Sequence, residues 1–133
     1  MATWERLREH IGTSYEAVEL DPRIVAMQFA TTTRRTQTVY VTHLVAEDGS
    51  EWAAIDSVVG HELEVDLLAA LRAVSTLACG GLSYLRVQDQ DMVALRHVVP
   101  LATVEAEEFD LPLILVTGAA DALEEALIGG DAA

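Results

Sequence analysis

The chain contains no lysine. Its eight basic residues are all arginine and stand against 22 acidic ones, for a net charge of −14. A surface of that sign repels phosphate backbones and anionic lipid headgroups, which excludes nucleic acid and membrane surfaces as partners. One cysteine, Cys79, cannot form an internal disulfide, and a reducing cytoplasm is the expected compartment. The N-terminal residues have no apolar signal-peptide core. No run approaches the ~18 apolar residues that cross a bilayer. Aromatics are few: two tryptophans, three tyrosines and two phenylalanines. The core must therefore be built mostly from Leu, Val and Ala.

What is present is ample apolar material. Fifty-one per cent of the 133 residues are hydrophobic, enough for one domain over residues 1–133 with a real core. Trp4, Leu7, Ile11, Tyr15 and Val18 recur at helical spacing and predict a first helix, ended by Asp21-Pro22. Three strands follow, at 24–33, 36–46 and 51–59, with β-branched residues in alternation and a turn at Glu47-Asp48-Gly49-Ser50. A second helix is predicted from Glu62 to Cys79, with Leu63, Leu67, Ala70, Leu71 and Val74 on its apolar stripe and Gly80-Gly81 as its stop. A second hairpin joins 82–88 to 92–99 through Asp89-Gln90-Asp91, and Pro100 closes it. Glu105, Glu107 and Glu108 fall in a short turn. Asp110 is the expected cap of a last helix with Pro112 in its first turn. Leu113, Val116, Ala120, Leu123 and Leu127 form its stripe, and Gly129-Gly130 ends it. The order α-β-β-β-α-β-β-α predicts an α+β fold, an antiparallel sheet with helices packed on it.

No catalytic constellation is specified by spacing. His10, His43, His61 and His97 lie on different elements, and His43 and His97 fall at core-facing strand positions. His61-Glu62-Leu63-Glu64 lacks the second histidine of a zinc-protease helix. Asp121, Glu124 and Glu125 read as a solvated helix face, and Cys79 as a small core residue. Ser57 and Ser83 sit in no nucleophile motif. Arg34-Arg35 is the only basic pair and reads as a solvated turn or a contact with an acidic partner. No enzyme activity, metal or cofactor is expected.

Certain strings resemble the YbjN-like proteins and their relatives, the type III secretion chaperones of the Tir-chaperone type. The most specific is Ala119-Ala120-Asp121-Ala122-Leu123-Glu124 followed by Gly129-Gly130-Asp131. Trp52 to Gly60, with Ser57-Val58-Val59-Gly60, and Arg96 to Leu101 also fit. The resemblance implies a secretion-chaperone-like α+β fold in a non-enzymatic homodimer that binds an extended segment of a client protein. YbjN-like members are described as sensory-transduction regulators. Candidate client contacts are Val25, Met27, Phe29 and Tyr40, unless three of these four are simply core. Candidate dimer contacts are Leu67 and Leu71 on the second helix and Leu113 and Leu115 on the last. The alternative is a small-molecule-sensing domain with a pocket using His97, His43 or Arg86.

Overall fold

A computed structural model of the chain describes residues 3–31 and 36–128. The order is α1 (Trp4–Ser14), β1 (Ala17–Asp21), β2 (Ile24–Ala30), β3 (Thr36–Val45), β4 (Glu51–His61), α2 (Leu67–Val74), β5 (Gly81–Val87), β6 (Gln90–Pro100), a 3-10 turn (Ala106–Phe109) and α3 (Asp110–Leu127). The six strands form one antiparallel sheet in the order β1-β2-β3-β4-β6-β5. The expected α+β class and element order are both present, with one strand added.

That strand is β1. Helical periodicity from Trp4 carries formally to Val18, but the helix stops at Ser14 and Tyr15 is already extended (φ −137°, ψ 160°). Gly12, Thr13 and Ser14 are all poor helix residues, and the backbone that follows finds better partners along β2. Val18 consequently lies 64 % exposed on the sheet. The second helix is also shorter than its pattern. Asp66 caps it by accepting from the Ala69 N–H at 3.1 Å, so Glu62, Leu63 and Glu64 form a turn and Leu63 is 94 % exposed. The β5–β6 turn falls at Gln88-Asp89, both with positive φ (53° and 64°), the pairing of a tight two-residue hairpin. Phe109, not Asp110, precedes α3, and Glu105 forms a reciprocal capping box with Glu108. Arg34-Arg35 and Gly129-Gly130-Asp131 lie outside the described residues.

One core joins all three helices to one side of the sheet. Trp4, Leu7 and Ile11 from α1, Ala70 from α2, and Leu113, Val116, Ala120 and Leu123 from α3 pack with Val25, Met27, Val39, Val41, Ile55 and Leu95. Phe109 fills its centre with no exposed surface. A polar hook fixes α1 to the start of α3. The Asp110 carboxylate accepts from the Tyr15 hydroxyl at 2.6 Å and lies 2.9 Å from His10 Nε2.

The Tyr15 phenol is pushed up to about 12, first by burial and then by its hydrogen bond to the charged Asp110. Its ordinary value is near 10, so the folded state holds the proton more tightly than the unfolded one. The resulting stabilisation is complete below pH ~10 and is lost as pH rises toward 12. Urea midpoints should therefore fall across that window, and Tyr15→Phe should flatten the fall. Asp110→Ala, which strands both partners, should cost about 1–3 kcal/mol at neutral pH.

Candidate functional site

Successive side chains of a strand point to opposite faces, so the sheet presents one set to the helices and one away from them. The registers assemble a row across all six strands on the far face. Val18 lies opposite Ala26, Ala26 opposite Tyr40, Tyr40 opposite Asp56, Asp56 opposite Arg96, and Arg96 opposite Gly81. Flanking rows carry Thr42, Ala54 and Val98 on one side and Thr38, Val58, Ala94 and Ser83 on the other. The buried apolar residues of α1, α2 and α3 all belong to the opposite core, and no described helix lies over this face.

The face is nonetheless apolar and largely closed to water. Leu85, Val87 and Met92 are 8 % exposed and Ala54 and Ala94 not at all. Leu85, Val87, Met92 and Ala94 form a cluster of their own, with Tyr40 and Val58 packed on it. Away from the strand ends, Asp56 and Arg96 are its only charged side chains among the described residues.

These two make a forked ion pair. Arg96 Nε donates to Asp56 Oδ1 at 2.7 Å and Nη2 to Oδ2 at 2.9 Å, the two-point geometry that suits guanidinium and carboxylate. The Asp56 side chain has no exposed surface, whereas that of Arg96 keeps 31 %. Burial pushes the Asp56 carboxyl up against the opposing pull of Arg96, and the bond to Asp56 holds the guanidinium above its ordinary value. Burial also pushes the Tyr40 phenol up. The polar row thus offers fixed hydrogen-bonding groups in an otherwise apolar field. It holds no activated nucleophile.

The residues anticipated from sequence do not converge. Val25 and Met27 are buried beneath the helices at 3 % and 0 % exposure, and half-buried Phe29 lies on that same covered face. Tyr40 alone of the four faces outward. Leu113 is fully buried, while Leu67, Leu71 and Leu115 are about half exposed. His43 pairs with Glu51 at 2.8 Å and stacks on Trp4 at 5.2 Å, and half-buried His97 occupies the covered face. Arg86 sits on edge strand β5, bonded to Asp91 at 2.8 Å. None of the three lines either of the two clefts described below. Cys79 is half-buried and its thiol is pushed up by burial, away from reactivity. Among the described residues no group of His, Cys, Asp and Glu is arranged to hold a metal ion, and no helix is long and apolar enough to cross a membrane.

Two clefts border the fold's covered side. One of about 330 Å³ lies between the end of β2 (Phe29, Ala30, Thr31) and α3 (Ile114, Thr117, Gly118, Asp121). Another of about 280 Å³ runs between α2 and β5, lined by Leu67, Leu82 and Tyr84. The chain matches no protein-family model and no curated protein sequence.

Sequence reasoning passes over Asp56 and gives Arg96 no role beyond the start of a resembling string. The available signal is that each is the lone charge among apolar same-face neighbours: Ala54 and Val58 for Asp56, Ala94 and Val98 for Arg96. Removing one partner leaves an uncompensated charge on a dry surface, so Arg96→Ala should cost about 3–5 kcal/mol in urea unfolding. The double replacement Asp56→Leu with Arg96→Met should recover most of that loss.

Proposed function

We propose that this domain is a non-enzymatic protein-binding module, chaperone-like or adaptor in kind, that holds an extended segment of a partner protein and works as a homodimer. The observation that carries the reading is the uncovered sheet face: apolar, uncharged except for one internally neutralised pair, and crossed by the Tyr40–Asp56–Arg96 row. A sheet face this apolar is normally covered by a second layer, and no described helix supplies one here. Extended segments suit it, because their side chains alternate at the spacing of the pockets on a pleated surface. The resemblance of the C-terminal string and of the element order to the YbjN-like and Tir-chaperone-type proteins supports the same reading, as does the lack of a catalytic grouping in the sequence.

The dimer rests on different residues. Leu67, Leu68 and Leu71 are each more than half exposed on α2, a helix that packs inward through Ala70. Beside it, β5 is the last strand of the sheet among the described residues, with no described strand paired to its outer edge. Three leucines beside an open edge form a surface that a second copy would cover by isologous contact. Leu115, with Leu111 and Ile114, forms a separate exposed patch in the first turns of α3.

Tagged protein captured from its native lysate should retain a stoichiometric partner, and Tyr40→Asp or Val98→Asp should abolish that retention while Leu115→Asp leaves it intact. Retention unchanged in folded Tyr40→Asp protein would remove the open face from the interface. Light scattering should give twice the chain mass of 14.4 kDa, falling to the monomer in Leu67→Glu/Leu71→Glu. A monomeric wild type at micromolar concentration would end the dimer proposal.

A further inference from the structure

On the covered side of the sheet, the cleft of about 330 Å³ between the end of β2 and α3 falls within the size range of small-ligand sites. Its wall on α3 is a single row. Ile114, Gly118 and Asp121 stand at i, i+4 and i+7, with Thr117 beside Gly118. Phe29, Ala30 and Thr31 form the wall opposite.

Gly118 opens this cleft. It sits in the interior of an 18-residue helix, where glycine lowers stability relative to alanine. The usual reasons for a glycine in that place are missing. Its φ is not positive. A Cβ built on it would meet nothing within 4 Å, so no tightly packed neighbour demands a bare backbone. The missing side chain leaves a notch in the row, between apolar Ile114 and the carboxylate of Asp121.

The α3 polar groups at the notch are acceptors. Thr117 Oγ1 donates its hydrogen to the Leu113 carbonyl at 2.7 Å, so the oxygen has only lone pairs left to offer. A carboxylate accepts and does not donate. Its roughly four lone-pair positions let Asp121 take a ligand's N–H in addition to what it already bonds. Thr117 and Asp121 are 8 % and 7 % exposed, and a charge-assisted bond is stronger in such a place than in open water. Half-buried Phe29 and exposed Ile114 supply the apolar contact.

We infer that this cleft binds a small organic amine, with its ammonium against Asp121 and Thr117 Oγ1 and an aromatic or branched apolar body between Phe29 and Ile114. At roughly 30 Å³ for each water-sized volume, the cleft takes a body of about ten non-hydrogen atoms, the size of phenethylamine. The site is separate from the open face and does not depend on the reading of that face.

Three probes of matched size test this with the full-length protein: phenethylamine, phenethyl alcohol and phenylacetate. Phenethylamine at millimolar concentration should shift the backbone amide signals of Ala30, Thr31 and Gly118 in a nitrogen–proton correlation spectrum. It should bind on the order of tenfold more tightly than phenethyl alcohol, and phenylacetate should leave those signals unmoved. Asp121→Asn should bring amine and alcohol to equal affinity. Gly118→Leu, which fills the notch, should abolish amine binding. Gly118→Ala, which adds one methyl group in open space, should raise the unfolding midpoint and weaken the amine, and it carries the test if Gly118→Leu does not fold. Unmoved amide signals overturn the inference, as does equal affinity of amine and alcohol for the wild type. Amine binding that survives the Gly118 or Asp121 substitutions unchanged also overturns it.

Discussion

The central strands of this sheet are apolar on both faces, and the helices are all on one. In β4 the run from Ala53 to Ser57 is buried without a break, although Ala53, Ile55 and Ser57 face the helices and Ala54 and Asp56 face away. Strands buried on both sides normally lie between two layers. Here the second layer is missing among the described residues, and side chains of the sheet shade one another instead: Leu85, Val87, Met92 and Ala94 with Tyr40 and Val58. The core, the uncovered face and the proposed activity all follow from this one-sided arrangement.

It also explains where polar groups are tolerated. A lone carboxylate at the position of Asp56 would pay a desolvation cost of several kcal/mol. The fork from Arg96, one strand away in direct register, removes most of that cost and leaves the face neutral. On the covered side the accounting is less complete. Gln37 donates to the Val58 carbonyl while its Oε1 stays unbonded, and the buried Ser57 hydroxyl also lacks a partner. Polar contacts of a different kind, most of them part-buried, tie the helices to the rest: His10 and Tyr15 on Asp110, and Trp4 with Arg8 on the Pro22 carbonyl.

Much of the fold was legible because long periodic segments meet no competition. The stripe of the last helix and the turn at Glu47 to Ser50 are where periodicity and turn residues place them, while α2 keeps only Ala70 of its stripe buried and the β5–β6 turn falls one residue earlier than expected. The exceptions share a cause. Val18 continues a helical stripe and Leu63 begins one, yet the first joins a sheet edge and the second stands in solvent. In both segments the local pattern suits two backbones, and the choice is made by distant partners: β2 for Ala17–Asp21, and the Asp66 cap that delays α2. The candidate site was legible only in part. Tyr40 was identified, but Val25 and Met27, from the adjacent strand, are turned inward, because face assignment depends on which side the helices take.

By itself the sequence determined the acidity, the absence of lysine, the α+β class, the supply of apolar residues for a core and the lack of any catalytic spacing. These are properties of composition and of local periodicity, and they survive any tertiary arrangement. Only the tertiary structure decided which face of each strand is covered and that Asp56 and Arg96 meet across 40 residues of chain, which leaves the middle of one face neutral. Alternation within a strand shows that two faces exist. Registry between strands and the side on which the helices dock give each face its character.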